Sequence, residues 1–368
     1  MKKIILIPLI ILIIGLCIAL AGFAAGGMKS FWIDRGGFHL AGTDNGRLES
    51  VDEKYSGFKD IVVEADFLNK ITLKEGDAYT VRGRNYERFG GLRAELNGTT
   101  LKVTAKRSDN WITSIGIDNL LDWGAHNSDN SWLEITYPKG SRFGTVTVQT
   151  DAGQVEASGI DCEKFDVGAD YGNVGVTAVR AGDLSIKADA GKVSVADAGV
   201  SGAAAIVDRF GDVELSSVRA ESLSVSLDAG RLTARDVSAE VLEVEDDYGE
   251  VTLDGAEAES VSLTLSSGDL KAKGVRAGDV TVRSNFGRVS FDRLVFTGAC
   301  DVKCDAGDVD LELQMSEDDV SYDLNTDAGS VVVDGRKSSG SVVNRAAGAS
   351  ADLRVQADFG TVRVKFKG

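Results

Sequence analysis

Proline is almost missing: the chain has two in 368 residues, beside 43 glycines. That imbalance excludes a proline-rich disordered linker and points to many tight turns between strands. Cysteine is scarce too, four in all, which excludes a disulfide framework. No CxxC or Cys/His spacing of a zinc site occurs. Cys17 lies in an apolar N-terminus. Cys300 and Cys304 share one strand-like run, where positions four apart lie about 13 Å from each other, beyond the roughly 7 Å a disulfide spans. Cys162, Cys300 and Cys304 are therefore expected as buried, small apolar side chains. Histidine is rarer still. His39 and His126 both lie outside the regular part of the chain, so no histidine relay can form there. Positive charge is in deficit, with a net charge of −17. Nucleic acid, an anionic membrane surface or an acidic wall polymer would be repelled unless cations bridged the gap; the same charge also favours solubility.

What is present begins with a long apolar run. Lys2 and Lys3 precede an uncharged stretch from Ile4 to Met28, with IILIPLIILIIGLCIALAGFAAGG at its heart. It exceeds the roughly 20 residues of a spanning helix and the 7–15-residue core usual for a cleavable signal peptide. Pro8 sits near its start, where a helix tolerates proline best. The run is expected to be a single transmembrane signal anchor, with cleavage at Ala19-Leu20-Ala21 as the alternative. Leu16 before Cys17 argues against lipid attachment there, because a small residue is expected in that place. Charge before the run and a long acidic segment after it place the C-terminal domain outside the cytoplasm.

Beyond it the chain repeats. Turn glycines fall at Gly153, Gly172, Gly191, Gly211, Gly230, Gly249, Gly268, Gly287, Gly307, Gly329 and Gly360, spaced by 19, 19, 20, 19, 19, 19, 19, 20, 22 and 31. Apolar residues recur two and four places after each glycine, as in Val174 and Val176, and five before it, as in Val167. Between them the sequence alternates apolar and polar, the period of a strand with one buried face. A unit this short cannot bury its apolar face alone, but stacked units share one core. The expected fold class is all-β: a parallel β-solenoid of about 19 residues per rung, two short strands per rung, preceded by one N-terminal transmembrane helix. Just after the glycine stand Lys192, Asp212, Arg231, Glu250, Asp269, Arg288 and Asp308. In register these set opposite charges side by side except at Glu250 and Asp269.

Residues 1–28 thus read as the anchor, 29–57 as a linker and the start of a cap, 58–140 as irregular N-terminal rungs, and 141–368 as the regular solenoid with a loosened C-terminal cap. In the irregular part Asn97-Gly98 reads as a hairpin turn, although Asn97-Gly98-Thr99 matches a glycosylation sequon. Ser108 to Ser131 has few strand signals and holds Trp111, Trp123 and His126. Trp132 to Gly140 feeds the first regular rung. The final R-V-K-F-K is expected to guard an edge with its lysines.

The repeated D-A-G-x-V and D-Y-G-x-V signature, the N-terminal apolar helix and the I-T-Y-P lead-in together resemble a bacterial β-strand-repeat family of unknown function, the putative-adhesin family. The resemblance runs from about Phe58 to Gly368. It implies a β-solenoid on a membrane anchor in the cell envelope and brings no catalytic motif.

Two columns could carry chemistry. Two places before the glycines stand Asp151, Asp170, Asp189, Asp228, Asp247, Asp305, Asp327 and Asp358. They read as turn residues that accept a backbone N–H. A Ca²⁺ ladder is the other reading, but the column lacks the calcium-roll motif and is interrupted by Arg209, Ser266 and Asn285. Just before the glycines, small residues alternate with rings over nine rungs, Ala152, Tyr171, Ala190, Phe210, Ala229, Tyr248, Ser267, Phe286 and Ala306, and the column ends with Ala328 and Phe359. Each ring could cover its small neighbour. Alternatively Tyr171, Phe210, Tyr248 and Phe286 form a ligand-binding stripe at about 10 Å intervals that grips a glycan or peptide by stacking. No catalytic residue, metal site or cofactor is expected. The function read from the sequence is a non-catalytic adhesion or binding module at the cell membrane, its partner an envelope protein or cell-surface polymer. The alternatives are a scaffold or regulatory partner in an envelope-stress system, which could self-associate end to end, and third a polysaccharide-acting β-helix enzyme.

Overall fold

The structure is a computed structural model and describes residues 31–34, 37–40, 47–106 and 131–368. The expected membrane helix, Cys17, Trp111, Trp123 and His126 lie outside the described residues, as does the side chain of His39. No helix of the described residues is long and apolar enough to cross a membrane.

The described chain is all-β, relieved by two single-turn 3-10 helices, Glu87–Phe89 and Glu317–Asp319. Strand Asp161–Tyr171 shows why. Cys162, Phe165, Val167 and Ala169 turn inward, while Glu163 and Lys164 stay exposed. It pairs in parallel with Arg142–Ser158 on one side and Arg180–Ala190 on the other, so that Phe165 stands between Val146 and Leu184. Each partner lies 19 residues away, the step of the glycine period. The 20-residue step at Gly211 is matched by Leu184 opposite Ala204. Pairing each turn with the turn before and the turn after is consistent with a solenoid. One apolar cluster runs from Phe58 to Val364, and each fully buried Val, Leu, Ile or Phe in it contributes about 1.5–3 kcal/mol.

The expectation of two strands per repeat needs a correction. A third short run also joins the ladder, with Cys162 opposite Ala181 and Ala181 opposite Val200. It adds its own buried column: Ile160, Val179, Ala198, Val218, Val237, Ala256, Val275 and Leu294. The turn leading into it holds a left-handed residue in each repeat. Glycine fills that place at Gly159, Gly255 and Gly274, whereas Ala178, Asp197, Ser217, Asp236 and Arg293 adopt it with φ between 52° and 59°.

Both ends are interleaved. Near the N-terminus Asp60–Gly76 lies against Arg142–Ser158. Its other edge carries Thr100–Ala105 and Trp132–Pro138. Trp132–Pro138 therefore leads into the first regular repeat along the chain but does not pair with it, because Asp60–Gly76 lies between them in the ladder. Antiparallel strands finish this end, Leu48–Tyr55 on Tyr79–Tyr86 and Arg93–Asn97 on Thr100–Ala105. The second pair turns at Asn97-Gly98, as read from the sequence. At the C-terminus Ala351–Phe366 slots between Ala299–Leu313 and Val320–Val333. Arg336–Asn344 pairs antiparallel outside Val320–Val333. The final strand is thus internal, and its lysines guard no edge. Chain order puts it last, but two flanking ladders hold it on both sides.

Candidate binding face: a column of rings

The face is built on the glycine spine. A Cβ placed on Gly172 would meet the carbonyl oxygen of Gly153 at 2.1 Å, and one on Gly211 that of Gly191 at 1.8 Å. Gly172 also has φ +140, but Gly211 does not need a positive φ; close approach alone demands glycine there. The glycine N–H groups bond along the stack, Gly172 to the Ala190 carbonyl at 3.0 Å and Gly307 to that of Phe359 at 2.9 Å.

That satisfaction corrects the reading of the aspartate column. The N–H groups of Gly172, Gly191, Gly287 and Gly307 already have backbone partners, and the aspartates with a side-chain bond direct it elsewhere. Asp189 accepts from the Arg209 guanidinium at 3.2 Å and Asp247 from the Ser266 hydroxyl at 3.0 Å. The residue that ties backbone is the one after the glycine. Asn173, Asp212, Asp269 and Asp308 accept the N–H of Lys192, Arg231, Arg288 and Thr361, one turn on, at 2.9 to 3.1 Å. The like-charged neighbours Glu250 and Asp269 are also explained. Glu250 sits between Arg231 and Lys271, and the hydrogen bond from Lys271 holds its carboxyl below the usual range. Among the described residues no cluster of three or more His, Cys, Asp or Glu is arranged to hold a metal ion.

The rings stand just before the spine. Tyr171, Phe210, Tyr248 and Phe286 are 51%, 63%, 66% and 61% exposed. Tyr171 lies between Ala152 and Ala190, and Phe286 between Ser267 and Ala306. Two turns separate successive rings, about 10 Å.

Interleaving extends the column at both ends. Phe67 pairs with Ala152, and Phe359 lies between Ala306 and Ala328. In chain order Ala306 and Ala328 come together and break the alternation; in space Phe359 separates them, so ring and small residue alternate from Phe67 to Ala328. Phe359, exposed by 64%, was in the column but displaced by chain order. Phe67 carries no glycine signal because Leu68 takes that place, and it packs against Phe89 at 6.0 Å between centroids.

Beneath the rings lies a feature the sequence reading missed. Asp208 and Asp246, two residues before Phe210 and Tyr248, are buried, with no hydrogen-bond partner for any carboxylate oxygen. Their column also holds Ala188, Leu227 and Leu265 and, toward its ends, the buried hydroxyls of Thr150, Ser284 and Thr326, so the two acids are legible as its carboxylates rather than as its polar residues. Burial pushes both up to about 6, and the nearby N–H groups of Phe210 and Tyr248 pull back only in part.

Elsewhere an open groove of about 630 Å³ runs over Lys70, Lys74, Trp132 and Glu156. Its lysines are neutralised, Lys70 by Glu156 and Lys74 by Glu134, both at 2.7 Å. Cys162, Cys300 and Cys304 are buried free thiols, and burial pushes Cys162 and Cys300 up to about 12.

Comparison with known proteins gives one family. The model described as Toastrack DUF4097 matches twice, over residues 58–226 and 205–365. Among solved structures, a "putative adhesin" from Bacteroides fragilis shares 13% identity over 86% of this chain and 97% of its own, at a TM-score of 0.27. One from Parabacteroides merdae shares 11% over 70% and 97%, at 0.35. A "putative lipid binding protein" from Parabacteroides distasonis shares 13% over 87% and 97%, at 0.28. No curated protein matches.

Proposed function

The chain belongs to the Toastrack DUF4097 family, and from that premise we propose that it is a β-solenoid held in the cell membrane by its N-terminal helix. Its C-terminal domain stands outside the cytoplasm as a non-catalytic binding or adhesion module of the bacterial envelope. The observation that carries this reading is the ring column. Large apolar side chains left mostly in water, at a regular spacing, have the form of an interaction surface. Rings about 10 Å apart suit an extended polymer that offers one flat or apolar face per repeat. Stacking on an aromatic pair is worth about 0.5–1.5 kcal/mol, so one ring binds feebly and several on one polymer bind usefully. An envelope polymer or an extended segment of an envelope protein is the ligand class. The neutralised groove and the buried thiols favour binding over catalysis.

The test replaces Tyr171, Phe210, Tyr248 and Phe286 together by leucine and measures retention on immobilised envelope polymers. Retention should fall to background while the circular dichroism melt is unchanged. Retention equal to that of the unaltered chain refutes the stripe.

A further inference from the structure

The C-terminal end of the stack closes on a strand with an open edge. Arg336–Asn344 pairs with Val320–Val333 and, among the described residues, with nothing on its other side. It bends at Gly340, φ +82, where it cuts the corner that Val320–Val333 rounds between Asn325 and Ser330. Lys337, Ser339, Ser341 and Val343 are its exposed alternate positions, Val343 by 53%. Native sheets protect such edges with charge, proline or a bulge. The N-terminal edges follow that rule, with Glu49, Asp52, Glu53 and Lys54 on one strand and Arg93 and Glu95 on the other. On this strand the charges, Arg336 and Lys337, are confined to one end, and from Ser338 to Asn344 there is none.

We propose that this edge is a self-pairing surface, on which Arg336–Asn344 of one copy adds antiparallel to the same strand of a second copy about a two-fold axis at Gly340. A strand that pairs antiparallel with itself makes a self-complementary, two-fold contact. The bend does not prevent it: rotation about the line bisecting the two runs exchanges them, so each half meets the other half of its partner. In that register Lys337 faces the partner's Val343, Arg336 the partner's Asn344, and Ser339 the partner's Ser341. No like charges stand directly opposite, and Arg345, diagonal to Lys337, is already paired with Asp323 of its own chain. The second copy is therefore the occupant that the charge pattern fits, and main-chain bonds across the edge supply the attraction. One consequence rests on the membrane anchoring of the proposed function. If the N-terminus is held in a membrane, this end is the distal one, and the two-fold axis sets joined copies pointing opposite ways, from opposing membranes. One strand pair is a weak link; many on facing surfaces act together.

The experiment is sedimentation velocity of the full chain in detergent over a range of concentrations. The unaltered chain should show a concentration-dependent dimer. V343K places a lysine opposite the partner's Lys337 at both symmetric contacts and should weaken the dimer by about tenfold or more. Adding K337E to V343K turns both contacts into opposite-charge pairs and should restore it. A monomer at every concentration, or a double variant no tighter than V343K, overturns the proposal. Dimerisation in detergent without clustering of proteoliposomes upholds the pairing and counts against the anchoring. Absence of polymer retention by the unaltered chain, with the dimer intact, counts against the ring column and leaves the pairing standing.

Discussion

Replacing Asp208 and Asp246 by asparagine should stabilise the protein at neutral pH and leave it nearly unchanged in acid. Both carboxyls are buried without a partner, and burial raises them from 3.8 to about 6. That gap corresponds to about 3 kcal/mol per carboxyl. The direction follows from proton linkage. Between about pH 4 and pH 6 the folded state holds protons that the unfolded state has released, so stability falls as pH rises through this window. Below it both states are protonated and nothing is lost; above it the full penalty is in force. The Leu227 turn separates the two acids, which puts them about 10 Å apart, so their effects should nearly add. Asparagine keeps the shape and never ionises. Urea titrations followed by circular dichroism at pH 4, 5, 6 and 7 should show D208N/D246N gaining on the unaltered chain progressively, by several kcal/mol at pH 7 and by little at pH 4. A difference between the two proteins that does not change with pH, or a less stable variant at pH 7, refutes the reasoning.

Other expectations follow from the turns and ends. A178G, S217G and D236G each relieve a left-handed residue and should stabilise by about 0.5–1 kcal/mol after the added chain entropy is counted, read as a higher urea midpoint. Gly172→Ala forces a methyl against the Gly153 carbonyl and should destabilise by about 3 kcal/mol or more, because backbone must move. Truncation after Ser350 removes the partner of both Ala299–Leu313 and Val320–Val333; hydrogen exchange should then accelerate in Val320–Asn344 and spare the turns around Val225. Carbonate-washed membranes should retain the full chain, and external protease should digest its C-terminal domain in intact spheroplasts.

The legible part of the fold was whatever the repeat itself encodes. Glycine spacing predicts the parallel register because a close approach of backbones recurs once per turn, and strict alternation predicts the buried faces of the two long runs. The third run escaped notice because it is lined in part by small residues, Ala220, Ala239 and Ala258, whose alternation carries little hydrophobic contrast. Its left-handed turn was hidden by aspartate, serine and arginine in places where glycine would have announced it. Interleaving at the ends was invisible for a different reason. Val331 and Val333 match the columns as well as Val362 and Val364, so pattern alone cannot say which strand lies next to Ala299–Leu313. The four rings of the candidate face were read from the sequence, but Phe67 and Phe359 needed the spatial order. The aspartate column was misread by treating each turn as isolated, when its N–H groups bond to the next turn.

The late strand slotted beneath an earlier one has a bearing on how the molecule is made. During synthesis Val320–Val333 leaves the ribosome before Ala351–Phe366, and at that moment the edge open to it is that of residues 299–313, with which it does not pair in the finished protein. Growth of the stack from its N-terminal side must therefore halt short of the end, or pass through a mispaired form, until the last residues arrive. Only a chain translated through Phe366 can close this part of the ladder. A chain that stops before Ala351 is left displaying an unfilled bonding edge, the kind of exposed feature that chaperones and proteases act on.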